Sequence, residues 1–145
     1  MKQSIITNSF DETQKLGSDL VQKLGDKRVI GLYGELGSGK TTFVQGLAKG
    51  LGITNKIISP TFIIMRSYSV PLSIRNSPFS NFYHVDLYRI NSSLDMQDIG
   101  ITELMTDTKN LFAIEWPEKL GNLLPKNRLD IYFEYIDDNK RKITF

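Results

Sequence analysis

The chain contains no cysteine and a single histidine, His84. Without thiols there can be no disulfide framework and no thiolate metal site, and one imidazole makes no zinc cluster. Charge of one sign is also scarce. Eighteen Lys and Arg against sixteen Asp and Glu leave a formal net charge of +2, too little to argue by itself for a nucleic-acid or membrane surface. No apolar run approaches the roughly 20 residues of a membrane span, and the opening MKQSIITNSF lacks the apolar core of a signal peptide. A cytoplasmic protein without membrane attachment is expected. Repeats and low-complexity tracts are absent as well. What is present is ordinary for a globular chain: 145 residues, 40% apolar and 23% charged. That length suits one domain, residues 1–145, with a real core and little room for a second module.

Local patterns divide the chain into alternating elements. SIIT, residues 4–7, reads as a short strand. Ser9 followed by Glu12 has the spacing of a capping box, and Leu16, Leu20 and Leu24 recur every four residues, which predicts a helix from Asp11 to Leu24. RVIGLY, 28–33, is an apolar run bounded by turn residues and suits a strand buried on both faces. Phe43, Leu47 and Leu51 then share a helical face. Gly46 inside that helix is worth roughly 1 kcal/mol less than alanine, and close packing of the helix on the sheet would justify it. TFIIMRSYSV, 61–70, and NFYHVDLY, 81–88, read as strands on either side of the loop PLSIRNSPFS. SSLDMQDIGITELM is expected to hold one or two short helices, LFAIEW a buried strand, and Pro117 the start of a short helix. Leu129, Ile131, Phe133 and Tyr135 alternate, and DDNK turns the chain into RKITF, a closing hairpin. The class is α/β, a three-layer fold like that of the P-loop nucleoside triphosphatases. Its central sheet is expected to be mixed and mostly parallel, with a C-terminal β-hairpin.

Between RVIGLY and the following helix lies GELGSGKTT. Gly34, Gly39, Lys40 and Thr41 fit the phosphate-loop pattern G-x-x-x-x-G-K-[ST]. Glycines permit backbone angles that turn successive N–H groups inward. The helix start adds unsatisfied N–H groups and the positive end of its dipole. Lys40 supplies a point charge for the β- and γ-phosphates, Thr41 a hydroxyl for Mg2+, and Thr42 a group near the α-phosphate. A chance match in a chain of this length is on the order of one in a few hundred. The strand before and helix after are the context the motif requires.

A nucleotide-bound Mg2+ ordinarily draws a carboxylate from the end of a neighbouring strand. Glu115 closes LFAIE and fits, with Glu118 a weaker local rival. Burying an apolar strand that ends in a lone carboxylate is costly without a cation. In HVDLYR a regular strand would put His84, Asp86 and Tyr88 on one face. Asp86 is open to two readings: it orients attacking water or reaches Mg2+ through water, or it pairs with Arg89 or caps a turn. His84 reads as packed or hydrogen-bonded rather than catalytic. Ser59 and Thr61 read as hydroxyls of a turn into a strand, and Phe62 and Trp116 as core or interface aromatics.

Taken together, GELGSGKTTFVQGLAKGLG, SPTF, HVDLYR, DIGITEL and IEWPEKLGNLLP resemble, in order and spacing, the TsaE (YjeE) family of small bacterial P-loop ATPases, from about Ser9 to Phe145. The resemblance implies an ATP-binding and hydrolysing subunit needed for threonylcarbamoyladenosine in tRNAs that read codons beginning with adenine. It would act with TsaD and TsaB, resetting or regulating the transferase and meeting tRNA only indirectly. It also implies that Gly37, Ser38, Gly39, Lys40, Thr41 and Thr42 bind ATP and that Phe10 approaches the nucleotide. Thr41 and Glu115 would hold Mg2+, and Asp86 would join Lys40 in hydrolysis. Trp116 would lie near the nucleotide or a partner. The loop from Val70 to Ser80 is longer than the family pattern. Two other classes remain. A P-loop small-molecule kinase needs an acceptor pocket and an arginine-bearing lid, and arginines after the P-loop are few. A direct nucleic-acid binder lacks its aromatic–basic signature.

Overall fold

The structure, a computed structural model, describes residues 2–60, 64–73, 77–91 and 100–145. Seven strands form one sheet: β1 (Ser4–Thr7), β2 (Val29–Tyr33), β3 (Met65–Ser69), β4 (Asn81–Asp86), β5 (Asn110–Glu115), β6 (Leu129–Tyr135) and β7 (Arg141–Thr144). Their spatial order is β1-β7-β6-β2-β5-β4-β3. The four central strands, β6, β2, β5 and β4, run parallel. Antiparallel pairing adds β7 and β1 at one edge and β3 at the other. The sheet is thus mixed, with a parallel heart and the expected C-terminal hairpin. SIIT closes the same edge by pairing with the last strand.

Helices α1 (Phe10–Leu20) and α2 (Lys40–Gly50) cover one face. The other face carries α3 (Ile101–Leu104) and a 3-10 segment at Pro117–Leu123. Each layer has its own core: Phe43, Leu47, Ile30, Leu32, Phe82 and Ile131 on the first side, Val85, Leu87, Ile101, Phe112, Ile114 and Leu120 on the second. Strands β2 and β5, apolar except for Asn110 and Glu115 at the two ends of β5, are buried along almost their whole length, as strands covered on both faces must be.

Ser9 caps α1 as the spacing predicted. Its Oγ accepts from the Glu12 N–H at 3.1 Å, and the Glu12 carboxylate accepts from the Asn8 N–H at 2.6 Å. The helix is shorter than expected. It ends at Leu20 and tightens into a 3-10 turn, Val21–Lys23, which still buries Leu24. Gly46 does mark a close approach, but to α1 rather than to the sheet. A Cβ there would overlap the carbonyl oxygen of Gln14, and one at Gly17 would overlap that of Phe43.

Three strand readings were too long. The strand expected at 61–70 is observed over Met65–Ser69; Ile64 has φ 68°, outside the strand region, and residues 61–63 lie outside the described residues. The strand expected at 81–88 ends at Asp86, because the Asp86 carboxylate accepts from the Tyr88 N–H at 3.0 Å and turns the chain. Tyr88 therefore does not continue the alternation of His84 and Asp86. The strand LFAIEW ends at Glu115, since Trp116 adopts φ 59°, ψ 49°. The helix expected before Gly100 falls largely on 92–99, outside the described residues.

Candidate functional site

Parallel strands bring their C-terminal ends to one edge, where α/β sheets place ligands. Here β2 runs out at Tyr33 into the glycine loop, β4 at Asp86 and β5 at Glu115. Asp86 and Glu115 are direct partners in the β4–β5 register, so their side chains share one face. Facing them, the chain passes through Gly37 at φ 79° and Gly39 at φ 104°, and Gly39 caps α2. Side chains rarely adopt such angles. The result is a cleft of about 390 Å³ in which the whole run from Gly37 to Thr42 meets Asp86, Glu115, Trp116 and Arg141.

Three of the charged groups in this cleft are buried. Lys40 is 5% exposed, Asp86 9% and Glu115 4%. The Lys40 ammonium donates to the carbonyls of Gly34 and Glu35, and it lies 4.8 Å from the centre of the Trp116 ring. Desolvation holds its pKa below the ordinary lysine value, partly opposed by the charges of Glu115 and Asp86. Desolvation likewise pushes the Asp86 carboxyl up. The Tyr88 N–H opposes that rise and the neighbouring Glu115 charge adds to it. Glu115 Oε2 meets His84 Nε2 at 2.7 Å, with His84 fully buried.

Trp116 takes a left-handed conformation unusual for a bulky residue. Its N–H donates to Leu32 O at 3.3 Å, and Tyr88 packs obliquely on its ring at 5.2 Å. The turn directly after Glu115 thereby lays an aromatic face over Lys40 instead of extending β5.

The residues expected at the site divide cleanly. Gly37, Ser38, Gly39, Lys40, Thr41, Thr42, Asp86 and Glu115 converge on the one cleft, with Ser59, Tyr88 and Arg89 also on its wall. Phe10, 55% exposed, stands beyond Gly39 and Thr42. There it flanks a smaller hollow with Ser9, Asp138, Asn139 and Arg141. Glu118 is exposed and does not line the cleft. Thr61 and Phe62 lie outside the described residues.

One participant had no sequence signal at all. Arg141, on β7, donates to Gly37 O at 3.1 Å and to the carbonyls of Asp137 and Lys140, and its guanidinium sits 4.7 Å from the Tyr135 ring. It reaches the glycine loop from 104 residues away in sequence. A larger cavity, about 580 Å³, lies against the far half of α2 around Ala48, Ile53 and Ile57. It has no acidic side chain and cannot host comparable chemistry.

Residues 7–143 match the sequence model of the family described as threonylcarbamoyl adenosine biosynthesis protein TsaE. The chain belongs to the TsaE family. It is 36% identical over 139 residues to the tRNA threonylcarbamoyladenosine biosynthesis protein TsaE of Treponema pallidum, covering 96% of both chains. The corresponding Bacillus subtilis protein is 38% identical over 123 residues, covering 85% of this chain and 70% of the relative. Among solved structures, Bacillus subtilis YdiB superposes with a TM-score of 0.76 at 28% identity, over 100% of this chain and 84% of the other. Among the described residues no helix is long and apolar enough to cross a membrane.

The cleft also suits a divalent cation of a particular kind. Two buried carboxylates face one buried ammonium, and the Asp86 pKa is raised first by desolvation and further by the neighbouring Glu115 charge. Among the described residues no three His, Cys, Asp or Glu side chains come together as a metal cage. A hard cation that keeps water and phosphate ligands and borrows one or two protein oxygens fits this donor set.

Proposed function

We propose that the chain is a single-domain, Mg2+-dependent ATPase of the cytoplasm that serves tRNA threonylcarbamoyladenosine biosynthesis together with TsaB and TsaD, touching tRNA only through them. The observation that carries this reading is the convergence of Lys40, Thr41, Asp86 and Glu115 on one cleft at the mouth of the glycine loop. The names of the matched relatives supply the pathway.

In this reading the triphosphate lies along Gly37–Thr42. Backbone N–H groups at the start of α2 receive its oxygens. Lys40 exchanges its present partners, the Gly34 and Glu35 carbonyls, for phosphate oxygens. That exchange is favourable because a charge-assisted bond to phosphate replaces bonds to neutral carbonyls, at an ammonium that burial already desolvates. The base extends past Thr42 into the hollow flanked by Phe10, Asn139 and Arg141. Thr41 and Glu115 would hold Mg2+, which when bound neutralises developing charge on the phosphates. Asp86, whose raised pKa makes it a better proton acceptor than an ordinary aspartate, orients the attacking water and receives its proton. Trp116 shields the Lys40 side of the cleft from solvent.

The test combines binding and assembly. Calorimetry with a non-hydrolysable ATP analogue should show uptake that Mg2+ strengthens. Mixing with TsaB and TsaD should give a ternary complex formed with nucleotide and not without it, and faster ATP turnover than the isolated chain. A chain that takes up no adenine nucleotide, alone or with those proteins, refutes the proposal.

A further inference from the structure

Glu115 has a partner that phosphate-loop chemistry does not require. His84 Nε2 lies 2.7 Å from Glu115 Oε2, and the contact is buried from both sides, His84 at 0% and Glu115 at 4% exposure. The geometry follows from register. Asp86 opposes Glu115 and His84 opposes Ala113 on the parallel strands β4 and β5. His84 is therefore the diagonal neighbour of Glu115 on the same face of the sheet, within reach of a long side chain. An ionised carboxylate only accepts hydrogen bonds, so the imidazole proton belongs on Nε2. The other ring nitrogen, Nδ1, has no hydrogen-bond partner among the described residues. Burying an imidazole with one nitrogen unsatisfied costs stability. A side chain selected for packing alone would be apolar here, like its neighbours Phe82 and Val85.

We infer that His84 is a positioning residue. It fixes Oε2 of Glu115 and leaves the second carboxylate oxygen free to serve a divalent cation that arrives with the nucleotide. This rests on the reading of Glu115 as the cation's carboxylate. The need for a tether is electrostatic. Asp86 stands directly opposite with a like charge, and repulsion between the two would turn an untethered Glu115 side chain away. Lys40, a buried opposite charge in the same cleft, is held by the Gly34 and Glu35 carbonyls. The imidazole supplies the missing restraint, as hydrogen-bond partners of metal ligands commonly do.

The experiment titrates a non-hydrolysable ATP analogue into wild type, His84→Phe and His84→Gln at one pH, once in chelator and once across a range of Mg2+ concentrations. Phe keeps the ring and loses the donor; Gln keeps a donor that can reach the same oxygen. His84→Phe should raise the Mg2+ concentration at half effect by about tenfold or more, while affinity in chelator stays within about twofold. His84→Gln should remain within about threefold of wild type. A folded His84→Phe with the wild-type Mg2+ response overturns the inference, and so does an equal loss with and without Mg2+. Should His84→Phe not fold, Glu115→Ala is compared with Glu115→Ala/His84→Phe, which lacks the stranded carboxylate. Equal Mg2+ responses in that pair are expected, and a further loss in the double variant overturns the inference. A wild-type protein that binds the analogue with no Mg2+ effect would instead remove the reading of Glu115 itself.

Discussion

Helix α2 touches two regions built on opposite principles. At its N-terminal end stand Lys40, Asp86 and Glu115, polar groups buried without full compensation. Along its flank against α1 lie Gly17, Gly46 and Gly50, positions where any side chain would intrude on backbone. The first region holds side chains in states they would not choose for stability. The second removes side chains so that two helices can approach closely. Stability and function are thus separated along a helix of 11 residues, and that separation can be tested by substitution.

The largest effect should come from the packed flank. Helix propensity favours alanine over glycine by roughly 1 kcal/mol, yet a Cβ at Gly46 runs into the Gln14 backbone, which cannot rotate aside. Gly46→Ala should therefore lose about 3 kcal/mol in chemical denaturation, with normal nucleotide affinity in the fraction still folded. A variant as stable as wild type would show that the helices are not closed on each other.

The acidic end should behave in the opposite way. Asp86→Asn keeps an oxygen for the Tyr88 N–H and removes a charge that burial and Glu115 disfavour. Turnover should fall about a hundredfold or more, while stability at pH 7 rises. The sign follows from linkage. A carboxyl whose folded pKa is raised contributes stability that is fully present below its ordinary value, 3.8, and lost as pH rises through the raised value. The advantage of Asp86→Asn over wild type should vanish at low pH and be largest near neutrality. Thermal melts of both proteins across that range decide it, and a destabilised variant at pH 7 would contradict the cost assigned to Asp86.

Lys40→Met removes the other buried charge. Analogue affinity should drop by about 2 kcal/mol, the scale of a charge-assisted bond, with the melting point unchanged or slightly raised, because desolvation already disfavours the ammonium. Calorimetry and melting of the same preparation separate the two effects.

How much of this was legible beforehand depends on whether a signal is local. The glycine loop, the apolar strand before it and the helix after it, and the candidate carboxylates Asp86 and Glu115 are read from a few adjacent residues, and the loop and both carboxylates converge on one cleft. The contact between His84 and Glu115 needed the β4–β5 register. Arg141 needed the closing hairpin to fold back onto Gly37, which no pattern within RKITF announces. Gly46 was recognisable as a tight packing point, but its partner was a helix rather than the sheet. Strand ends were overread at Tyr88 and Trp116, because a side chain accepting a backbone N–H and a left-handed tryptophan override apolar alternation.

Ser9 is where the two regions meet, and it sets the smallest and most discriminating effect. Its hydroxyl caps α1 through the Glu12 N–H, so it belongs to the packed helix pair. It also borders the hollow beside Phe10 and Thr42, so it belongs to the end proposed to take the nucleotide. Ser9→Ala should cost about 1 kcal/mol of stability, the usual worth of an N-cap. If the separation along α2 is real, that loss should leave the Mg2+ response untouched, because Glu115 and Asp86 are placed by strands β5 and β4 and not by α1. Analogue affinity should fall less than twofold, since the hollow is also walled by Asp138, Asn139 and Arg141 from the hairpin. A tenfold loss of affinity at unchanged Mg2+ response would mean that α1 is itself part of the base-binding wall, and the division would have to be redrawn between the base end and the phosphate end of the site.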